Sequence, residues 1–251
     1  MPHLERHAWT GIFSSAAAAL VLLSAAAVPP VGAADAEDAR QLVDKARLMF
    51  ESFQSDPQMG PSLRAIVRKA KGVMIYPQVL RGAFLFGGAG GRGVFLMRAQ
   101  EGDVWRGPAF YSIGQASFGL QAGADASEMV LVALTERGAT ALLSTSAKLG
   151  ASASVAIGPL GAGAEAATAN LSADLVSYTR NKGLYAGVSI EGAIVGPQDD
   201  WNRSYYGKTV TPTEILVEHT VSNPQAAELI AAVARIGRGS PTDRGPSAKA
   251  E

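Results

Sequence analysis

From Gly72 to Leu134 the chain is a succession of short apolar runs punctuated by glycine, and no other feature restricts its fold as strongly. Residues 73–76, 82–86, 94–98, 109–113, 118–122 and 129–134 carry the β-branched and aromatic residues of strands and are bounded by Gly, Pro or Ser. Strands rich in Gly, Ala and Ser let backbones approach closely and bend sharply. The expected fold is therefore α+β: a strongly curved, mainly antiparallel β-sheet or barrel-like sandwich with N-terminal and C-terminal helices packed around it. The cluster from Gly88 to Gly93 matches G-x-G-x-x-G, a dinucleotide fingerprint only where it follows a strand and opens a helix. Here Phe84-Leu85-Phe86 precedes it and Val94-Phe95-Leu96-Met97 follows, so a glycine-rich hairpin turn is expected instead.

Helical periodicity frames this β-rich centre. Ala39, Leu42, Val43, Ala46, Met49, Phe50 and Phe53 recur at i, i+3, i+4, i+7 spacing, which predicts an amphipathic helix over 35–53. Asp35, Glu37 and Asp38 suit the positive end of its dipole. A shorter helix is expected over 62–70, and another from Thr135, its cap, to 143. Alternation predicts a strand over 149–157, a turn at Gly158-Pro159 and a return strand over 162–169. It predicts a further strand over 184–194, with Leu184, Ala186, Val188, Ile190 and Ile194 on one face. Helices over 213–218 and 225–236 close the domain, and the Gly, Pro and Ser of 237–251 predict a disordered tail.

At the N-terminus, Arg6 and His7 precede an apolar run over 11–28, then Pro29-Pro30 and the small residues Val31-Gly32-Ala33. This is the order of a secretory signal peptide. Residues 1–33 are expected to be cleaved near Ala33, leaving one domain over 34–236 that is exported, periplasmic and peripheral to a membrane. The other reading of the run is an uncleaved anchor of ~18 residues.

Chemistry is narrowed by what the chain lacks. There is no cysteine, and of three histidines only His219 would survive cleavage, so disulfides, thiolate zinc sites and His-based metal centres are excluded. No serine sits in a G-x-S-x-G elbow. Gly207-Lys208-Thr209 resembles the end of a phosphate-binding loop, but Asn202 stands where the first glycine is required. His219 reads as a polar residue near a helix end, and Trp105 and Trp201 read as buried packing. A hydrolase built on Glu165, Asp174 or Glu191 is the weakest reading, because no spacing converges the acids. Binding without catalytic residues, metal or cofactor is expected.

Charge then suggests what is bound. Lys and Arg total 22 against 22 Asp and Glu, which argues against a nucleic-acid partner. The even total hides a polarised segment. The 44 residues between Asp56 and Glu101 hold no acid and seven bases: Arg64, Arg68, Lys69, Lys71, Arg81, Arg92 and Arg98. One reading is a solvated face whose charges pair with Asp35, Glu37, Asp44 or Glu51. The other is a headgroup site for anionic phospholipid, where each base near the surface contributes ~1 kcal/mol. On that reading the lipid-binding residues are Lys45, Arg47, Arg64, Arg68, Lys69, Lys71 and Arg81. Met49, Phe50 and Phe53 of the helical stripe are then the membrane contacts, the alternative and more common use of such a stripe being core packing.

Several runs resemble the SYLF-domain family: Ala70-Lys71-Gly72-Val73-Met74-Ile75, Arg81-Gly82-Ala83-Phe84, Trp105-Arg106-Gly107-Pro108-Ala109-Phe110, Gly158-Pro159, the stretch from Tyr178 to Gly192, and Asn202 to Gly207. The likeness spans roughly 39–234 and is most specific over 182–192. It departs where Arg81-Gly82-Ala83-Phe84 replaces the usual Lys-Ala-Gly-Phe and Arg106-Gly107 the usual Ser-Ala. The resemblance implies a lipid-binding protein using its N-terminal helix and basic residues. Fungal relatives also bind actin, which an exported chain would not meet. Phosphatidylglycerol, cardiolipin or phosphatidic acid are the lipids expected for such a chain. The contrasting expectation is an envelope structural or protein-interaction module whose glycine-rich sheet binds a partner or self-associates.

Overall fold

The computed structural model describes residues 31–83, 86–100, 104–118, 123–159, 172–181, 184–185 and 190–237. Two helices come first, α1 (Val31–Ser55) and α2 (Gly60–Val67). Four long strands follow: β1 (Gly72–Ala83), β2 (Phe86–Arg98), β3 (Trp105–Phe118) and β4 (Gly123–Ala133). After them come α3 (Glu136–Leu143), the short β5 (Ala147–Lys148) and β6 (Val155–Ile157), then β7 (Leu175–Asn181), β8 (Leu184–Tyr185) and β9 (Ile194–Pro197). The chain closes with α4 (Asp199–Tyr206), α5 (Pro212–Leu216), a 3-10 turn over Pro224–Ala226 and α6 (Ala227–Gly237). The strands form one strongly curved half-barrel in the order β5-β9-β3-β2-β1-β4-β7-β6, with β8 added on β7. Every pairing among them is antiparallel except β6 with β7.

The sheet is buried on both faces, and the period of two along β1 shows how. Val73 and Ile75 face one core, together with Val94, Leu96, Phe110, Val130 and Val176. Met74 and Tyr76 face the other, with Phe95, Tyr111, Met129 and Leu131. Helices α1, α2, α4 and α6 cover the first face; α3, α5 and the segment around Ile190–Val195 cover the second. The expected stripe of α1 is the plug of the first core: Ala39, Val43, Ala46, Phe50 and Phe53 are all buried. Thr135 caps α3 as expected, its side chain accepting from Gly138 N at 3.0 Å. His219 lies in the left-handed region at φ 55, just beyond α5.

Four expectations require correction. The glycines at 88–93 are not a turn but the middle of β2, paired with β1 on one side and β3 on the other. Gly91 and Gly93 need their small size there, beside the register break of β1 between Ile75 and Gln78. A Cβ on Gly91 would lie 2.4 Å from the Gln78 carbonyl oxygen, and one on Gly93 2.5 Å from both the Ile75 carbonyl and the Tyr76 ring. Secondly, 149–157 is not one strand. Gly150 at φ +87 reverses the chain, closed by Gly150 N–H donating to the Ala153 carbonyl at 2.9 Å. Thirdly, Ile190 and Ile194 do not share a face, because Gly192 at φ +83 breaks the alternation, leaving Ile190 buried and Ile194 exposed. Finally, α4 escaped the periodicity reading: only Asp199 and Asp200 in its first turn and Gly207 after its end, at φ +71, mark it. The expected strands over 162–169 and most of 118–122, residues 186–189, the tail from 238 and residues 1–30 lie outside the described residues.

Candidate functional site

The end of α2 and the adjacent ends of β1, β2 and β3 bring cations together. Arg68 and Lys69 lie where α2 stops, and Lys71 immediately precedes β1. Gly72 is obligatory at that junction, since a Cβ would come within 2.6 Å of the Phe95 ring. Arg98, the last residue of β2, donates from its guanidinium to the carbonyls of Val67 and Arg68, both at 2.9 Å. Those carbonyls lie at a helix C-terminus, where positive charge is favoured. Arg98 also lies over the Trp105 ring at 5.0 Å, so its plane is fixed on two sides. Met97 is paired with Arg106 across β2 and β3, and the Arg106 guanidinium donates to the Val217 carbonyl just beyond α5. Arg137, in the first turn of α3, completes the group.

Among the described residues, two acids pair with this rim. Lys71 Nζ stands 2.8 Å from Glu136 in an exposed ion pair, which contributes little against solvent and salt. Arg137 Nε lies 3.9 Å from Asp174. The Asp174 carboxylate is buried and already accepts from Thr135 Oγ1 at 2.7 Å, Ser154 N at 3.0 Å and Ser154 Oγ at 2.9 Å. The Thr135 hydroxyl is the leading reason its pKa is held below the ordinary 3.8, followed by Ser154. Asp174 is therefore a joint between α3, the approach to β6 and β7. Lys69 is exposed and engages no acid among the described residues. A groove of about 730 Å³ runs along the rim, walled by Lys71, Arg98, Arg106, Glu136, Leu216 and Val217. Val104 and Val217 project into solvent beside it.

The predicted site residues thus divide. Arg68, Lys69 and Lys71 are brought together. Arg64 is not with them: its guanidinium donates to the Gln54 carbonyl near the end of α1, where Gly60 also approaches that oxygen closely. Arg81 sits at the opposite end of β1, in register with Ala89 and Asp125. Lys45 is exposed midway along α1, and Arg47 pairs with Glu51 at 3.0 Å, which also holds Arg235 of α6 at 2.8 Å. Met49, Phe50 and Phe53, expected to contact a membrane, are 5%, 0% and 0% exposed. Their stripe is spent on the apolar face of the sheet and on α2 and α6, with Arg180 stacked on Phe53 at 4.6 Å. Arg106 and Arg137 were missed because Glu101 and Asp103 end the acid-free stretch; only strand register and the start of α3 return them to it. No helix among the described residues is long and apolar enough to cross a membrane.

Residues 114–236, from the second half of β3 to α6, match the family described as Ysc84, Las17-binding protein actin regulator. The chain belongs to this family, the SYLF-domain proteins. Over 65% of its length it is 35% identical to an SH3 domain-containing protein of Schizosaccharomyces pombe. Over the same share it is 33% identical to protein YSC84 of Saccharomyces cerevisiae and 31% identical to SH3 domain-containing YSC84-like protein 1 of Homo sapiens. These relatives are longer: the matched part spans 38%, 35% and 48% of them respectively. In this SYLF chain most of the basic rim precedes the span matched by the family, and Arg137 falls within it.

Proposed function

We propose that this SYLF chain is a non-enzymatic, peripheral lipid-binding protein of the bacterial envelope, exported after removal of its first 33 residues, and that it docks on anionic phospholipid through the rim around α2. The observation that carries the reading is the gathering of Arg68, Lys69, Lys71, Arg98, Arg106 and Arg137 on one edge beside Val104 and Val217, where Glu136 and the inward-held Asp174 are the acids paired with them among the described residues. Several cations presented at one surface attract an anionic leaflet additively, and a few small apolar side chains give the interface something to wet. Docking by this rim needs no unpacking of α1.

Co-sedimentation with phosphatidylglycerol vesicles at low and high salt tests it. Binding should be strong at low salt, fall as salt rises, and be absent on phosphatidylcholine. It should drop by at least about tenfold when Lys69, Lys71, Arg106 and Arg137 are changed to Ala, since four bases near the surface contribute ~1 kcal/mol each. No binding to any vesicle would sink the reading. The competing reading is a protein-interaction module, favoured by the names of the relatives, which are called Las17-binding or SH3-containing. It predicts a salt-tolerant protein complex and indifference to the rim substitutions.

A further inference from the structure

The glycines of the long strands fall into two classes. Gly72, Gly91 and Gly93 are demanded by packing, as described above. Gly82, Gly88, Gly90 and Gly114 are not: among the described residues, a Cβ on Gly82 or Gly114 would meet nothing within 4 Å, and one on Gly88 or Gly90 only a carbonyl at 3.7 Å. None of the four has positive φ. Glycine weakens a strand, so four such residues without a packing reason mark a place where something else approaches the backbone.

Strand register puts them together. On the helix-covered face, the row Gln78, Arg92 and Ser112 is the last one reached by α1 and α4, Arg92 lying over the Trp201 ring at 4.7 Å. Beyond it the same face continues as Leu80 beside Gly90, Gly114 and Ile194, then Gly82 beside Gly88 and Ala116. Leu80 and Ile194 are 56% and 52% exposed and stand as walls on either side of the glycine floor. Three strand spacings separate them, about 14 Å. A groove of about 590 Å³ joins the head of this shelf to α1, lined among others by Leu42, Lys45, Leu80, Gly90, Arg92 and Trp201. Asp38 is the one acid on that lining, and neither Lys45 nor Arg92 forms an ion pair among the described residues.

We propose that this shelf binds one anionic monoacyl lipid, its hydrocarbon chain lying on the glycine floor between Leu80 and Ile194 and its acidic head held by Lys45 and Arg92. Charge selects the ligand: two unpaired cations against one acid stand at the head of an otherwise apolar, side-chain-free trough. Size excludes the obvious rival. The shelf is about 14 Å across four strands and two to three side-chain rows deep, so two copies packed face to face would bury roughly 400–600 Å², below the 1,200 Å² or more of a stable dimer. The shelf lies at the opposite end of β1 and β2 from the basic rim, so this proposal stands apart from vesicle docking and is separable from it by mutation.

The test is titration of the full chain with cis-parinaric acid, a fluorescent long-chain fatty acid, below its micellar concentration. Saturable, one-to-one binding is expected, weakened about tenfold or more by Gly90→Leu and by Lys45→Glu, and absent for butyrate, which has the acid but no chain. A Cβ at Gly90 meets only a carbonyl at 3.7 Å among the described residues, on an exposed stretch of strand, so the unfolding midpoint of Gly90→Leu and its binding to phosphatidylglycerol vesicles should match the parent. Absence of saturable binding, or binding unchanged by Gly90→Leu, would overturn the proposal. So would sedimentation showing a dimer that Gly90→Leu dissolves, which would give the shelf to a second copy.

Discussion

Asp174 shows how a single carboxylate can be structural at neutral pH and a weakness in acid. Its three acceptor bonds favour the ionised form, which is why its pKa is depressed, with the Thr135 hydroxyl the foremost cause. A group whose folded pKa lies below its unfolded value contributes stability above the unfolded value and loses it as pH falls through the folded one. Replacing Asp174 with Asn should cost about 1.5–3 kcal/mol at pH 7, the range for a hydrogen bond to a charged group. In urea titrations the difference between parent and variant should shrink as pH is lowered past the ordinary carboxylate value of 3.8. A gap that stays constant with pH would mean that the joint does not depend on charge.

At the scale of elements, the two kinds of glycine make opposite forecasts. Gly93→Ala should lower the urea midpoint, by the equivalent of about 1–3 kcal/mol, because its Cβ is forced against the Ile75 carbonyl and the Tyr76 ring. Gly114→Ala should be neutral or slightly stabilising, since the methyl meets nothing and the unfolded chain loses freedom. Composition alone cannot separate the two, and this is why the run at 88–93 reads as a turn in sequence while standing as the middle of a strand. Elements with their own internal signal are legible: α1 from its apolar stripe and α3 from Thr135, while α5 begins within a residue of the helix expected from 213. Elements whose shape depends on neighbours are not, as the breaks at Gly150 and Gly192 show. The site divides similarly. Arg68, Lys69 and Lys71 are close in sequence and remain close in space, whereas Arg64 is drawn away by a carbonyl that only the α1–α2 contact supplies, and Arg106 arrives through register. The stripe of Met49, Phe50 and Phe53 was readable as amphipathic; what it faces was not, because that depends on an apolar sheet surface assembled from five distant strands.

Across the whole molecule, the first and last helices close on one another. Gln225 Nε2 donates to Asp44 Oδ1 at 2.9 Å, Arg235 pairs with Glu51, and Gln54 donates to the Ala232 carbonyl, while Leu229, Ala232 and Val233 share a core with Phe50 and Phe53. A chain ending before Ala227 would leave that core open, so it should lose the cooperative thermal transition seen by circular dichroism in the chain that retains α6. Contacts of such sequence separation also form late, because a long loop must close before they are rewarded. During synthesis the first helix therefore emerges long before its partner exists. Until the final turns leave the ribosome, the polypeptide has no finished interior to resist being drawn as an extended thread through a narrow pore.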